Sequence, residues 1–295
     1  MSRIQDALRK LQIEMPGQLS RSGAIQIASV GLAETLADTP GRDEKSKRTI
    51  RINLDLLKRH GFLPPEDQQR RLAEQYRRIK RPLLDNASAR QAHKEPDANL
   101  ILVTSALPGD GKTFNCINLA LSIAVEKDTS VLLVDGDVAK PHISTLFGIS
   151  KEPGLINLLD DESLRIDDVV LPTDIGGLSI LPAGQKNEHA TELLASRRME
   201  AVVTALSNAS PDRVVIFDSS PLLATSDARV LANLMGQIVV IVCAGQTPQH
   251  ALLEALDGLD ESKAINLVLN QASSGSGAES YGYYGYGYGD AALPD

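Results

Sequence analysis

Residues 99–113 read Asn99-Leu-Ile-Leu-Val-Thr-Ser-Ala106-Leu-Pro-Gly109-Asp110-Gly111-Lys112-Thr113. An apolar run suited to a buried strand ends in a glycine-containing turn, and a helical pattern follows with Phe114, Ile117, Leu121 and Ala124 on one face. Strand, small-residue loop and helix in that order form the context in which a phosphate-binding loop is physically credible. Ala106, four intervening residues and then Gly111-Lys112-Thr113 match such a loop, with alanine at the usual first glycine. Small residues let backbone N–H groups approach phosphate oxygens, and the helix N-terminus adds the positive end of its dipole. Lys112 would reach the outer phosphates and the Thr113 hydroxyl would hold Mg2+. The expected nucleotide-binding segment is therefore Gly109, Asp110, Gly111, Lys112, Thr113 and Phe114, with a nucleoside triphosphate such as ATP as ligand.

Two further apolar runs deliver carboxylates. Val131-Leu-Leu-Val-Asp135-Gly136-Asp137 and Val214-Val-Ile-Phe-Asp218-Ser-Ser-Pro221 both read as strands ending in aspartate. In a parallel sheet the carboxyl ends of strands line the ligand crevice. Aspartates there can serve the water shell of Mg2+, a hard cation that takes oxygen ligands. Residues 177–182, 237–243 and 264–270 read as further strands, and 191–206 as a helix. Continuous apolar strands alternating with amphipathic helices predict an α/β fold, a mostly parallel sheet covered by helices on both faces.

The rest of the chain divides by composition. Residues 1–46 hold a short amphipathic helix (Ile4, Ala7, Leu8, Leu11) and a period-free linker. Residues 47–271 form the α/β domain, beginning with an alternating stretch over 47–54 that predicts a half-buried strand. A charged helix is expected over 66–81, where Glu74, Arg77 or Arg78, and Arg81 share a face. Residues 272–295 form a Gly-rich tail that cannot bury a core. Of six tyrosines, five lie in that tail, at Tyr281, Tyr283, Tyr284, Tyr286 and Tyr288; the sixth is Tyr76. The net charge of −8 argues against nucleic acid as a partner. Two cysteines in apolar segments and the lack of a leader or an apolar run of roughly 18 residues predict a cytoplasmic protein.

Taken together these residues resemble the bacterial tyrosine kinase family, P-loop autokinases of capsule and exopolysaccharide systems. The likeness rests on the phosphate loop at 106–113, the Asp135-x-Asp137 and Asp218-x-x-Pro221 strands, the terminal tyrosine cluster and the Glu74-x-x-Arg77-x-x-Lys80 helix. The start of the chain resembles the free-standing cytoplasmic autokinases of exosortase-type loci. The resemblance implies a P-loop NTPase fold of the MinD/ParA kind and autophosphorylation of tail tyrosines by a neighbouring subunit of a ring-like homo-oligomer. It implies that Lys112 contacts phosphate, that Thr113, Asp137 and Asp218 hold Mg2+, and that Asp135 accepts the tyrosine proton. Asn270 would touch the purine; Glu74, Arg77, Lys80 and Arg81 would serve oligomerisation. Implied partners are a membrane polysaccharide co-polymerase, which would recruit the protein to the inner face of the membrane, and a tyrosine phosphatase.

The match has departures. Ala139, followed by Lys140, stands where the family usually has arginine, and Gly236 where relatives often have an acidic residue. Two rival readings are a ParA- or MinD-like positioning ATPase and a nucleotide-binding scaffold with weakened chemistry. The first needs a lysine early in the loop, where this chain has Leu107. Should a phosphotyrosine signal survive loss of the tail tyrosines, Tyr76 is the remaining acceptor.

Overall fold

The computed structural model describes residues 49–63, 66–93 and 97–272. The expected first helix, the linker and the tyrosine-rich tail lie outside the described residues. After an extended entry come α1 (Leu54–Arg59) and the long α2 (Glu66–His93). The α/β core then runs β1 (Leu100–Ser105), α3 (Lys112–Ala124), β2 (Ser130–Asp135), and the short helices α4 (His142–Leu146), α5 (Leu155–Asp160) and α6 (Ile166–Val169). It continues with β3 (Leu171–Pro172), β4 (Leu178–Leu181), α7 (Ala190–Leu194), α8 (Arg197–Asn208) and β5 (Arg213–Asp218). The last elements are α9 (Asp227–Leu234), β6 (Gln237–Cys243), α10 (Gln249–Asp257) and β7 (Ala264–Asn270).

The strands form one seven-stranded sheet in the order β3-β4-β2-β5-β1-β6-β7. All pairs are parallel except β3 with β4. Side-chain alternation explains how the sheet is covered twice. Leu100, Leu102, Leu132, Val134, Val215 and Phe217 join one core with the helices after β2. Ile101, Val103, Val131, Leu133, Val214 and Ile216 join the other, with Tyr76, Leu83 and most of α3. A strand buried on both faces has no polar alternation to show, which is why these runs read as uniformly apolar.

Three expectations need correction. The 47–54 stretch forms no strand among its described residues: Ile50 makes a single parallel bridge to Thr173, and the helix starts at Leu54. The alternation itself is real, since Ile50 and Ile52 are buried and Arg51 exposed, but they pack beside the sheet edge. The charged helix does not stop at Arg81; it runs through Pro82 to His93. Pro82 is exposed, on a side where water can satisfy the carbonyl its ring leaves unpaired. The 191–206 helix is two helices, broken at Ser196, whose hydroxyl accepts the Met199 N–H and caps α8.

Candidate active site

β1 leads into the loop at the carboxyl edge of the sheet, and α3 leaves from it. Gly109 and Gly111 both have left-handed backbones, with φ near +91° and +93°. A side chain at Gly111 would also collide with the Asn270 amide. The loop is braced from outside. The Asp110 carboxylate accepts the Leu107 N–H (3.1 Å) with one oxygen and the Thr247 hydroxyl (2.7 Å) with the other. The Asn270 amide donates to the Asp110 carbonyl (2.8 Å), and the Asn115 amide donates to the Gly111 carbonyl (3.0 Å). In a planar trans peptide the N–H points opposite to the C=O. Holding these two carbonyls from outside therefore turns the Gly111 and Lys112 N–H groups the other way, toward the mouth where phosphate would sit.

The carboxylates come from neighbouring strands. Asp135 and Asp218 are register partners across β2 and β5, so both side chains project on the α3 side of the sheet. Thr113 donates its hydroxyl to Asp218 Oδ2 at 2.7 Å. Lys112 Nζ lies 3.3 Å from Asp137 Oδ2. Asp135 Oδ2 accepts both the N–H (2.7 Å) and the hydroxyl (2.6 Å) of Ser144. Burial pushes the Asp135 carboxyl up to about 6, against the pull of the Ser144 bonds. Burial likewise pushes Asp218 up to about 7, opposed chiefly by the Lys112 charge.

Asp135 Oδ1 and Asp218 Oδ1 are buried with no hydrogen-bond partner. A native fold rarely leaves a carboxylate oxygen so, and Asp218 Oδ1, on the carboxylate that the loop threonine touches, suits a hydrated divalent cation. Among the described residues no group of three or more His, Cys, Asp or Glu side chains could hold a metal unaided. Mg2+ is a hard cation that completes its octahedron with waters and substrate phosphates. The donor set therefore fits an ion that arrives with nucleotide.

Other expected residues are placed as follows. The Phe114 ring stacks on Phe62, with centroids 6.0 Å apart, so only its backbone belongs to the loop. Lys140 donates its backbone N–H to Asp137 Oδ1 (3.1 Å), while its side chain and Ala139 are exposed. Leu107 packs against the core, filling with apolar bulk the place where the rival reading needs a lysine. On α2, Arg77 and Arg78 are exposed and pair with Glu74, and Arg81 is exposed. Lys80 is different: it is buried, bonds the Ser122 carbonyl and pairs with Glu126 at 2.7 Å. It faces its own domain. Tyr76 is buried and donates its hydroxyl to Asn115 Oδ1 (2.9 Å), so it is no free acceptor. Sequence reasoning missed Ser144, Thr247 and Asn115. Asn115 lies four residues after Gly111, a spacing that could have signalled contact with the loop.

No protein-family model matches the chain. It is 32% identical over 200 residues to the tyrosine-protein kinase YwqD of Bacillus subtilis, covering 67% of this chain and 80% of that one. It is 28% identical over 265 residues to the tyrosine-protein kinase etk of Escherichia coli K12, covering 90% of this chain and 33% of that longer protein. The crystal structure of the VpsO kinase domain is similar with a TM-score of 0.54 and 31% identity, over 67% of this chain and all of that one. The kinase domain of E. coli ETK gives a TM-score of 0.59 at 25% identity, over 84% of this chain and 89% of that one. A braced phosphate loop, strand-end aspartates in register and these similarities agree, and the chain belongs to the bacterial tyrosine-protein kinase family.

Proposed function

We propose that this chain is an ATP-dependent protein-tyrosine autokinase whose acceptors are Tyr281, Tyr283, Tyr284, Tyr286 and Tyr288 of a neighbouring subunit. The observation that carries the reading is the direct contact of Lys112 with Asp137 and of Thr113 with Asp218 at the end of β1, β2 and β5. Lys112 and the loop N–H groups would bind the outer phosphates of ATP and spread the charge that develops during transfer. Thr113, Asp137 and Asp218 would hold Mg2+, which supplies further charge neutralisation when bound. The phenol oxygen bonds to the γ-phosphorus as the bond to the β,γ-bridging oxygen breaks and ADP leaves. We assign the phenolic proton to Asp135 Oδ1. A carboxyl raised to about 6 is ionised at neutral pH yet a stronger base than an exposed aspartate. Ser144 would hold its other oxygen in place.

A tyrosine on a glycine-rich tether gains effective concentration without a dedicated groove. Each phosphate adds about −1.5 to −2 charges, so a modified tail on a chain of net charge −8 would repel its neighbours and loosen a homo-oligomer. Arg77, Arg78 and Arg81, exposed on α2, are the cations we assign to subunit contact. By resemblance, the setting is exopolysaccharide synthesis, with a membrane co-polymerase as activator and a tyrosine phosphatase as antagonist. Among the described residues no helix is long and apolar enough to cross a membrane.

Phosphotyrosine formed by purified protein with Mg2+ and ATP tests this reading. Signal in the wild type, lost in Lys112→Met and in a form with the five tail tyrosines changed to Phe, is the expected result. Nucleotide binding without phosphotyrosine, even beside the cytoplasmic segment of a candidate activator, would favour a scaffold. Steady release of free phosphate without phosphotyrosine would favour a positioning ATPase.

A further inference from the structure

α2 is tied to the phosphate loop by a hydrogen-bonded chain. The Tyr76 hydroxyl donates to Asn115 Oδ1 at 2.9 Å, and Asn115 Nδ2 donates to the Gly111 carbonyl at 3.0 Å. The Asn115 backbone N–H donates to that same carbonyl, also at 3.0 Å. Tyr76 is 2% exposed and Asn115 is 7% exposed. Burial pushes the phenol well above the usual tyrosine range, so the group stays a neutral donor. An amide that both accepts and donates is oriented: with its oxygen held by Tyr76, its NH2 must face Gly111. A phenylalanine at 76 would pack equally well, but leave a buried amide oxygen unmet and free to turn.

We propose that Tyr76 is a positioning residue for nucleotide binding, acting through Asn115 to fix the Gly111–Lys112 peptide. That peptide carries the Lys112 N–H, one of the donors aimed at the phosphates. The inference rests on the nucleotide-binding reading of the loop and goes beyond it, because it makes α2 part of the binding apparatus. It also gives α2 two faces with separate duties. The outer one presents Arg77 and Arg78 to solvent, and the inner one touches α3 through Tyr76 near its first turn and Lys80 near its last. A partner that shifts α2 by its outer face would disturb the Tyr76–Asn115 bond, and with it the affinity of the loop.

The test is titration calorimetry of the full chain with Mg2+ and ADP, beside thermal unfolding and kinase rates against ATP concentration. Wild-type binding that is lost in Lys112→Met checks the underlying reading separately. Tyr76→Phe is expected to weaken ADP about 3- to 10-fold, the worth of one net hydrogen bond. It should raise KM for ATP while leaving kcat within about twofold. Asn115→Ala should weaken binding at least as much, and adding Tyr76→Phe to it should cost nothing more, since the hydroxyl acts through Asn115. Asn115→Ser, whose hydroxyl can bond back to the carbonyl four residues earlier, should bind ADP better than Asn115→Ala. A melting point lowered with ADP affinity unchanged would make Tyr76 merely structural and overturn the proposal, as would additive losses in the double variant. Should Tyr76→Phe not fold, the Asn115 pair decides: equal affinity of the Ser and Ala forms overturns it.

Discussion

At the scale of single residues the site is a place where burial and charge are in conflict. Asp135 and Asp218 sit above the ordinary aspartate value of 3.8, at about 6 and about 7. The folded protein therefore binds more protons than the unfolded chain between about pH 4 and 7, so nucleotide-free stability falls as pH rises through that window. Asp218→Asn is expected to stabilise the nucleotide-free protein by about 1–3 kcal/mol at pH 8, an advantage that shrinks at pH 5. Urea unfolding at the two pH values checks the sign. The same variant should lose phosphotransfer, because a neutral amide cannot offset a divalent cation. Gly236 belongs to the same scale. A Cβ there would meet the Asp97 carbonyl and the Ala98 N–H, which gives a steric reason why no acidic side chain stands before β6.

Among elements, α2 departs most from its sequence reading. Its basic residues look alike along the chain, yet Arg77 and Arg78 share Glu74 at the surface while Lys80 is buried against α3. A direct bond to Lys80 is the main cause holding the Glu126 carboxyl below the usual range. Lys80→Met should cost about 1–3 kcal/mol, since it removes a charged donor from the part-buried Ser122 carbonyl. Arg77→Ala should stay within about 0.5 kcal/mol, as exposed pairs do. Urea unfolding of the two variants separates a staple within the domain from a solvated face. α3 shows the same effect from the other side: Phe114, Ile117, Leu121 and Ala124 suggest one apolar face, but Cys116, Leu119, Ala120 and Ile123 are buried too. The helix is enclosed because α2 covers the side that an amphipathic reading assigns to water.

For the whole molecule, binding at one edge of the sheet should stabilise the fold that builds the edge. Mg2+ with ADP at about 100 times its dissociation constant adds about 2.7 kcal/mol, or roughly 5–10 °C in melting temperature for a domain of this size. Thermal unfolding should show that shift in wild type and little of it in Lys112→Met. Much of this was legible in the chain. The loop at 106–113, the strands ending at Asp135, Asp218 and Asn270, and the parallel α/β class all follow from local patterns. Glycine placement and apolar periodicity act over a few residues, and no distant contact is needed to read them. What only the tertiary structure decided are the long-range pairings. These are Tyr76 with Asn115 across 39 positions, Thr247 with Asp110 across 137 and Asn270 with Asp110 across 160. A hydroxyl or an amide carries the same chemistry wherever it stands in a sequence; which partner it meets is set by strand order and helix packing. The candidate site residues could thus be named in advance from local pattern, whereas most of the contacts that brace them could not.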